Sequence, residues 1–287
     1  MKPKISVIVL NWKGYKDSRE CLNSLMKQKY QNLEIILVDN ESDKNELEKI
    51  KKEFPKIITK ANNENFGYAK GNNIGIKCAI NNGADYVFIL NNDTIINEQI
   101  FDKLLKEFDK NTAIVSPVIY YFKNNRKIWS AGGSFNKTTG LTTLNHSIPN
   151  KNKVSFIPGT AMLIDLNKLK KIGYFNERYF LYYEDTDLCQ RFIKKGYSLK
   201  IAKNSKILHS ISNASGGEYS STFLYYMTRN HLYNSNENLK GINKFTSKII
   251  SPLFFLFLMI KAVKYNQDPN IVNIAISDYI KGKMGKR

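Results

Sequence analysis

Hydrophobic residues recur along the first half of the chain as short continuous runs, separated by stretches of helical periodicity. A continuous apolar run is typical of a strand that is buried on both faces of a parallel sheet, whereas a period of three to four residues indicates an amphipathic helix. The alternation predicts an α/β fold with a doubly wound mixed sheet, right-handed crossovers and flanking helices. We predict strands at residues 5–10, 33–38, 57–59 and 86–90, and helices starting at Asp17 or Ser18, at about 43–54 and at about 69–81.

The second half of the chain has a more mixed pattern. Strands are predicted at residues 113–120, 161–165 and 198–202, and a helix at about 185–195. Because no low-complexity linker interrupts the chain before residue 240, we predict one domain at residues 1–240, with halves at 1–112 and 113–240. Residues 241–287 are predicted to form a C-terminal helical appendage.

The composition is that of a folded protein, with 42% hydrophobic and 24% charged residues. Cys21, Cys78 and Cys189 are far apart and form no C-x-x-C pair, so the sequence predicts neither a disulfide framework nor a zinc site. Each cysteine is expected to be a small buried hydrophobe in a reducing compartment. The chain begins directly with a strand pattern, without a cleavable leader, so a cytoplasmic location is expected.

The formal charge of +19 is high, but its basic residues are spread along the chain, so no nucleic-acid partner is predicted. Residues 240–287 hold eight lysines and one arginine against two aspartates, around an apolar run at 249–260. That run is too short, and broken too early by Pro252, to span a bilayer comfortably. It predicts an interfacial helix on an anionic membrane surface, with a buried core helix or a homodimer contact as the alternative.

Polar residues follow three of the predicted strands at the point where each strand ends. Asn11 follows the first strand, Asp39 the second and Asn91-Asn92-Asp93 the fourth. Because ligands of open α/β sheets bind beyond the carboxyl ends of the strands, these residues predict a shared nucleotide site, although each alone could be a turn residue. Asp39 suits a base or ribose. Asp93 suits a divalent cation on a diphosphate, and in extended backbone Asn91 would point to the same side.

A glycine-rich segment at residues 65–76 lies between two of these strand ends. Gly67, Gly71 and Gly75 let the backbone approach a ligand closely, and close packing of a helix on the sheet is the alternative. The spacing is neither a dinucleotide-binding fingerprint nor a P-loop. With the strand ends, the segment completes the predicted nucleotide-binding set, which is Asn11, Asp39, Asn65, Gly67, Lys70, Asn72 and Asn92.

Glu184, Asp185 and Asp187 place three carboxylates within four residues, after an aromatic run at residues 179–183 and at the start of a predicted helix. Helix capping explains one acid at such a position but not three. A carboxylate among aromatic residues, with like charges nearby, can have a pKa raised towards use as a general base. Further along, Ser215-Gly216-Gly217 predicts a flexible loop that closes over phosphates, and Arg229 is predicted to bind a diphosphate, with pairing to an acid as the alternative.

In order and spacing, these segments resemble the family 2 glycosyltransferases, and within them a bacterial rhamnosyltransferase-like group. The resemblance covers nearly the whole chain, and it is carried by residues 6–11, 38–40, 65–76, 90–94, 158–162, 184–188, His209, the Arg229-Asn230 pair and residues 280–283. It implies a GT-A type fold, a nucleoside diphosphate sugar as donor, Mg²⁺ or Mn²⁺ as cofactor, and inversion at the anomeric carbon in a single displacement.

The resemblance also implies roles for individual residues. Asp39 would contact the base or ribose, Asp93 would bind the metal, His209 would bind the metal or the diphosphate, and Asp185 would be the catalytic base. Asn91 replaces the first acid of the family's D-x-D motif, so weaker metal binding is expected. Beside the base, Glu184 and Tyr183 are predicted to bind the acceptor, and Asp187 to be a plain helix-start acid.

We therefore predict an inverting glycosyltransferase of cell-surface polysaccharide biosynthesis, peripheral on the cytoplasmic face of the membrane. Residues 1–112 would bind the donor, with dTDP-rhamnose as a candidate, and residues 113–240 a lipid-linked or polysaccharide acceptor. One alternative is a sugar nucleotidyltransferase, although Trp12-Lys13-Gly14 does not look like the glycine-rich loop of that class. The other is a non-catalytic nucleotide-sugar-binding protein, which would have no use for a buried base.

Overall fold

The computed structural model of the chain describes residues 2–210, residue 217 and residues 219–287, so only Gly217 of the predicted loop at 215–217 is among the described residues. The first half alternates strands and helices as predicted. Its elements are β1 (Ile5–Asn11), α1 (Tyr15–Met26), β2 (Leu33–Asn40), α2 (Lys44–Glu53), β3 (Ile58–Asn62), α3 (Gly67–Asn81), β4 (Tyr86–Asn91), β5 (Thr94–Ile95) and α4 (Phe101–Leu105).

The second half has short strands first and long helices last. Its elements are β6 (Thr112–Tyr121), β7 (Ile128–Ser130), β8 (Gly133–Phe135), β9 (Thr142–Leu144), β10 (Lys153–Val154), β11 (Ala161–Asp165), α5 (Leu166–Ile172), α6 (Glu184–Lys194), β12 (Ser198–His209), α7 (Ser221–Asn238), α8 (Gly241–Lys264) and α9 (Asn270–Ile280). The short strands β7 to β10 lack the long apolar runs that made the other strands predictable.

A single mixed sheet of ten strands organises the fold. Its order is β10-β12-β6-β11-β4-β1-β2-β3, with β5 beside β12 and β7 beside β6. The strands β4, β1, β2 and β3 are parallel neighbours, whereas β11 runs antiparallel between β4 and β6. The strands β8 and β9 form a separate antiparallel pair. The predicted α/β class, with a mixed sheet flanked by helices, is confirmed.

Alternate residues of the central strands face opposite sides of the sheet. Ile8 and Val38 belong to an apolar cluster with α3 and α6, whereas Val7 and Leu37 belong to a second cluster with α1 and α2. Both faces of these strands are therefore covered, which is why their sequences are apolar throughout rather than alternating with polar residues.

The start of α1 and the cysteines differ in detail from the prediction. The helix begins at Tyr15 after Gly14, which provides no side-chain cap, so the predicted cap by Asp17 or Ser18 is wrong. Both residues lie within the first turn or just after it. All three cysteines are free thiols, but only two of them are buried, because Cys78 is partly exposed.

The strand predicted at residues 198–202 is longer in the structure. It continues as β12 to His209 through an irregularity between Ala202 and Lys206, and pairs in parallel with β6 over most of its length. Near its end, β12 also pairs with β5, which sets His209 opposite Thr94. The bulge allows one strand to carry both the predicted apolar segment and the histidine.

The C-terminal helices pack against one another and against the aromatic run before α6. Side chains of α7, α8 and α9 share an apolar cluster that also includes Phe180 and Tyr182. The prediction that Pro252 breaks the apolar run is wrong, because α8 continues through this proline. By length and composition α8 is apolar enough to cross a membrane, with 28% of its apolar window buried in the protein. The predicted domain boundary at residue 240 stays a prediction. It falls between α7 and α8, which pack together in the same apolar cluster.

Candidate functional site

The ends of β1, β2 and β4 are joined by one hydrogen-bonded network. Asn11 Nδ2 donates to Asp39 Oδ1 at 2.6 Å and to Ser42 Oγ at 2.9 Å. Ser18 Oγ donates to Asn11 Oδ1 at 2.7 Å, and Asn92 Nδ2 donates to Ser18 Oγ at 2.9 Å. The three strand ends that the sequence singled out therefore do meet, because β4, β1 and β2 are adjacent in the sheet. Ser18, which the prediction treated only as a cap, connects them.

Within this network, Asn11 and Ser42 orient the carboxylate of Asp39. Asn11 is buried and both ends of its amide are occupied within the protein, so it holds the Asp39 carboxylate in place. The backbone N–H of Ser42 donates to the other oxygen of Asp39 at 3.0 Å. Each carboxylate oxygen keeps a second lone pair, so Asp39 can accept a further hydrogen bond from a ligand.

Asp93 and His209 form a pair at the ends of two further strands. His209 Nε2 lies 3.2 Å from Asp93 Oδ1, and both side chains are buried. The short β5–β12 pairing sets this distance, and the Ser210 N–H donates to the Asp93 carbonyl at 2.8 Å. The Trp129 ring packs edge-on against the imidazole, with centroids 4.6 Å apart. Among described residues, no hydrogen-bond partner of His209 Nδ1 is found.

The backbone at Asn91 and Asp93 departs from the expected geometry. Asn92 and Asp93 form a turn between β4 and β5, so the alternation of an extended strand does not apply there. The expectation that Asn91 and Asp93 point to the same side for that reason is therefore wrong. No group of three or more histidine, cysteine, aspartate or glutamate side chains able to hold a metal occurs within the part of the chain that the structure describes. The Asp93–His209 pair could supply at most two protein ligands.

Asp185 lies in the first turn of α6 and is partly exposed. The Gly159 N–H donates to its Oδ2 at 2.9 Å, and the Thr186 N–H donates to its Oδ1 at 2.6 Å. Burial raises the pKa of Asp185 above its usual value, and these backbone hydrogen bonds act in the opposite direction. The result is a carboxylate of fixed orientation whose pKa is shifted towards that of a general base.

The other two acids of the cluster have different surroundings. Glu184 is buried, its Oε2 has no hydrogen-bond partner among the described residues, and burial, aided by the charge of Asp185, raises its pKa well above the usual range. Asp187 accepts from Arg191 Nε at 2.8 Å and from Asn238 Nδ2 at 3.1 Å, which ties α6 to the end of α7. Asp187 is therefore a structural acid.

Tyr68 connects the strand-end side of the site to the acid cluster. Burial, followed by the charges of Glu184, Asp185 and Asp93, raises the pKa of its hydroxyl well above the usual range. The hydroxyl donates to the Gly159 carbonyl at 2.6 Å, on the residue whose N–H holds Asp185. Sequence reasoning missed both Tyr68 and Gly159, although each lies in a segment that carries the family resemblance.

The glycine-rich segment serves mainly to pack the chain in the structure. Gly67 has a φ of +75°, and a side chain there would collide with the Phe180 carbonyl. Asn65 Oδ1 accepts from the Gly67 N–H at 2.8 Å, and Lys70 Nζ lies 3.5 Å from the centre of the Phe66 ring. Gly67 thus permits a close contact with Phe180, which lies outside the sheet. The close packing of a helix on the sheet, which the sequence left as the alternative, is seen instead at Gly71 and Gly75, where a side chain would meet Leu10 and Ile8.

Asn72 is buried, with its Nδ2 donating to the Tyr68 carbonyl at 2.9 Å. Its Oδ1 is buried without a hydrogen-bond partner among the residues described, and so retains an acceptor. Of the four residues predicted in this segment, Asn72 is the one with an unused buried polar atom.

Two predicted site residues point elsewhere. Tyr183 is buried, and its hydroxyl lies 3.1 Å from His231 Nδ1, so its predicted contact with an acceptor does not fit the structure. Arg229 is buried between the rings of Tyr225 and Tyr226, and its Nη1 donates to the Gly285 carbonyl at 2.8 Å. A guanidinium that anchors the C-terminal tail is not placed to bind a diphosphate. Both corrections arise from packing between helices, which the sequence pattern does not encode.

The chain belongs to glycosyl transferase family 2, whose sequence profile matches residues 6–173. The matched region includes the strand-end network, Asp93 and Gly159. The match ends before the acids of α6, so the description of that part of the site comes from the structure alone.

Known relatives support this assignment. The low-salt glycan biosynthesis hexosyltransferase Agl10 of Haloferax volcanii is 25% identical, over 91% of this chain and 85% of its own length. The dTDP-rhamnosyl transferase RfbF of Shigella flexneri is 29% identical, over 70% of this chain and 68% of its own. The predicted resemblance to a family that includes rhamnosyltransferases is thereby confirmed.

A solved structure supports the fold. The crystal structure of GalNAc-T7 with UDP, GalNAc and Mn²⁺ superposes with a TM-score of 0.65 at 16% identity, over 79% of this chain and 47% of that one. The chain thus spans about half the length of that protein. At such identity the likeness shows the fold alone, and it confirms the GT-A type.

Proposed function

We propose that the protein is an inverting glycosyltransferase in which Asp185 is the general base. The observation that carries the proposal is the position of Asp185. Its partly exposed carboxylate is fixed by the Gly159 and Thr186 N–H groups, and its charge and that of Asp93 both act on Tyr68. A single displacement needs a general base near the donor site. Asp185 and Asp93 both lie near Tyr68 and would provide these two parts.

The reaction follows from this arrangement. An acceptor hydroxyl attacks the anomeric carbon from the face opposite the nucleotide, and its proton moves to a carboxylate oxygen of Asp185. The new C–O bond forms as the bond from the anomeric carbon to the β-phosphate oxygen breaks, and its electron pair leaves with the nucleoside diphosphate. Attack from the opposite face inverts the configuration. Glu184, buried beside the base with a pKa raised by burial, is proposed to contact acceptor hydroxyls.

Asp93 and His209 are proposed to hold Mg²⁺ or Mn²⁺ at the diphosphate. A carboxylate oxygen and an imidazole nitrogen 3.2 Å apart are ligands of suitable chemistry, and any further ligands would have to be water or phosphate oxygens. When bound, such a cation neutralises charge on the departing diphosphate. Since the neutral Asn91 replaces an acid, we expect the metal to bind weakly in the absence of nucleotide.

The nucleotide is proposed to lie over the ends of β1, β2 and β4. Asp39 would accept from the base or ribose, with Asn11 keeping its carboxylate oriented. Asn72 retains an unused acceptor, Asn92 follows the end of β4, and Asn65 and Lys70 lie at the start of α3. This arrangement follows the rule that ligands bind beyond the carboxyl ends of the strands.

The donor is proposed to be a hexose or deoxyhexose nucleotide, with dTDP-rhamnose as the first candidate because RfbF is a dTDP-rhamnosyl transferase. The acceptor is proposed to be lipid-linked or a polysaccharide. A panel of nucleoside diphosphate sugars with Mg²⁺ or Mn²⁺ and a mixed glycolipid acceptor pool tests this. We expect acceptor-dependent release of nucleoside diphosphate from one donor. Tight binding of a donor without turnover would favour a non-catalytic binding protein, and exchange of pyrophosphate would favour a nucleotidyltransferase.

The face of α8 that points away from the protein is proposed to bind the cytoplasmic surface of the membrane. Ser251, Phe255 and Leu258 face the protein, whereas a stripe spaced by three and four residues is more than half exposed. The stripe consists of Ile242, Phe245, Ile249, Leu253, Leu256, Ile260 and Val263. The helix contains four lysines and no acid, and this combination of an apolar stripe and positive charge complements an anionic bilayer.

Vesicle binding tests the membrane proposal. We expect the protein to sediment with vesicles containing anionic phospholipid, to bind neutral vesicles weakly, and to lose binding in Phe245→Glu/Leu253→Glu. The exposed residue Phe122 lies outside the stripe, so Phe122→Glu is a matched control. Unchanged binding of the double variant would contradict the proposal. A dimer that dissociates in the double variant, without vesicle binding by the wild type, would assign the stripe to a second copy of the chain.

A further inference from the structure

We infer that Asn230 and His231 of α7 are positioning residues for Asp185, acting through two left-handed tyrosines that precede α6. The inference rests on the proposed role of Asp185 as the base. It gives a function to the Arg229-Asn230 pair, which sequence analysis singled out and which the donor site does not use.

The chain enters α6 through an unusual backbone. Tyr182 and Tyr183 are consecutive residues with φ values of +67° and +73°. Bulky residues rarely adopt this region, and they keep it only where the surrounding structure imposes it. The helix then starts at Glu184, and its first hydrogen bond runs from the Asp187 N–H to the Tyr183 carbonyl at 2.9 Å. The direction in which α6 leaves, and hence the position of Asp185, depends on these two residues.

Asn230 holds the backbone just before the helix. Its Nδ2 donates to the Leu181 carbonyl at 2.8 Å and to the Tyr182 carbonyl at 2.9 Å. Its Oδ1 accepts from Arg229 Nε at 3.0 Å, and the asparagine is completely buried. One amide therefore fixes two successive carbonyls, and the neighbouring guanidinium fixes the amide.

His231 holds the side chain of Tyr183. Ser251 Oγ donates to the Ser247 carbonyl at 2.7 Å, so it accepts from His231 Nε2, 2.9 Å away. This assigns the proton to Nε2 and leaves Nδ1 to accept from the Tyr183 hydroxyl at 3.1 Å. Burial lowers the pKa of His231 to about 4, which keeps the ring neutral and this hydrogen-bond direction intact near neutral pH.

The two contacts hold the same short segment, residues 181–183, in two different ways. Asn230 fixes the backbone at residues 181–182, and His231 fixes the side chain of residue 183, so the path into α6 is set from α7. On the far side, the Gly159 N–H must meet Asp185 Oδ2 at 2.9 Å. A small shift of the first turn of α6 would break that contact and misplace the base relative to the acceptor.

Kinetics of the full-length protein test the inference. In Asn230→Ala we expect kcat to fall about tenfold or more, while the donor KM and the affinity for nucleoside diphosphate change less than about twofold, because the donor residues lie elsewhere. Tyr183→Phe, which removes only the hydroxyl, should lower kcat several-fold in the same way. Thr228→Ala, in α7 with a hydroxyl that donates to the Leu224 carbonyl of the same helix, and Tyr233→Phe, in the same aromatic cluster, are matched controls.

The outcomes are distinct. If kcat in Asn230→Ala matches that in Thr228→Ala, or if nucleotide affinity falls as much as kcat, the inference is overturned. If Asn230→Ala does not fold, the comparison of Tyr183→Phe with Tyr233→Phe decides. Asp185→Asn is measured in the same assay, since a near wild-type rate there refutes the base itself. Loss of activity in Asp185→Asn together with full activity in Asn230→Ala and Tyr183→Phe refutes the positioning role alone.

Discussion

The strand-end side of the site and its acid cluster are assembled in different ways. At the strand ends, Asn11, Asp39 and Asn92 are brought together by the sheet itself, and Ser18 of the next helix joins them. The acid cluster is fixed from outside the sheet. Gly159 holds Asp185 from one side, and α7 holds the entry to α6 from the other.

The difference has a physical consequence. Polar groups at adjacent strand ends are neighbours as soon as the sheet forms, so loss of one hydrogen bond there leaves the others in register. The acid cluster depends on two left-handed residues and on helices that come later in the chain. We therefore expect substitutions that disturb packing around the acid cluster to affect catalysis more than substitutions within the strand-end network, with Asp93 as the exception on the donor side.

On the donor side of the site, the largest effect is expected from Asp93→Ala, which removes the proposed metal-binding carboxylate. Turnover should fall by about 10²–10³-fold, since charge stabilisation worth several kcal/mol is lost at the leaving group. Asp17→Asn is a matched control, because the pKa of Asp17 is raised by burial and by the charge of Asp93, whereas Asp17 is not proposed to bind the metal. Steady-state rates with Mn²⁺ and with a chelator measure both. If the two variants lose the same factor in turnover rate, the loss comes from removing a negative charge near the site and the metal-binding role of Asp93 is contradicted.

Gly67→Ala should break the contact between α3 and the aromatic run. A left-handed φ alone costs about 1–2 kcal/mol for alanine, and at Gly67 the methyl group also collides with the Phe180 carbonyl. Gly83 has a similar φ of +73° but open space around it, so Gly83→Ala measures the backbone cost alone. We expect denaturant unfolding to show a loss of about 3 kcal/mol or more at Gly67 and about 1 kcal/mol at Gly83. Equal losses would mean that the contact carries no stability.

The buried His231 predicts a pH dependence of stability. Its pKa is lowered from 6.5 to about 4 in the folded protein, so the unfolded chain binds the proton more readily. The stabilising contribution is complete above pH 6.5 and is lost as the pH falls towards 4. By pH 5 the loss is about 2 kcal/mol.

Unfolding of wild type, His231→Gln and His146→Gln at pH 7 and pH 5 measures this contribution. His231→Gln should be less stable at pH 7 and should lose less on acidification than the wild type, whereas the exposed control His146→Gln should keep the wild-type slope. Glu184 titrates with the opposite sign, because burial raises its pKa, but its effect cancels in the difference between wild type and variant. Parallel slopes for wild type and His231→Gln would contradict the assignment.

The smallest effect is expected within the strand-end network. Ser18→Ala removes one hydroxyl that connects Asn11 and Asn92, worth about 1 kcal/mol, so the donor KM should rise a few-fold with kcat nearly unchanged. Ser24→Ala removes a buried hydroxyl from the same helix, which donates to the Cys21 carbonyl and accepts from the Ile96 N–H. It should cost similar stability without changing the donor KM. A fall in kcat in Ser18→Ala would place the network closer to the chemistry than we propose.

The comparison also explains what the sequence could predict. The strand ends were predictable because a buried strand and the polar residue that ends it are both local features, and strands β1, β2 and β4 were long and apolar. The Asp93–His209 proximity came from the family resemblance, and the structure supplies its reason in the pairing of β5 with β12. The strand β5 was missed because a two-residue strand leaves almost no signal.

Around the acid cluster, the sequence located the acids at the start of a helix but did not predict where the neighbouring side chains point. Asp185 lies at the start of α6 as expected, but Tyr183 and Arg229 face other helices, and their directions depend on how α7, α8 and α9 pack. Gly159 contributes a backbone N–H, which no side-chain pattern reveals. The α8 helix continued through Pro252 because the rest of the helix is strongly apolar and rests on α7.

The most direct test of the central claim is kcat for Asp185→Asn, measured beside the affinity of the same variant for nucleoside diphosphate. The substitution keeps the shape of the side chain and removes the base. We predict that kcat falls by about 10²–10⁴-fold while nucleotide affinity stays within about twofold of the wild type. A turnover rate near that of the wild type would contradict the account.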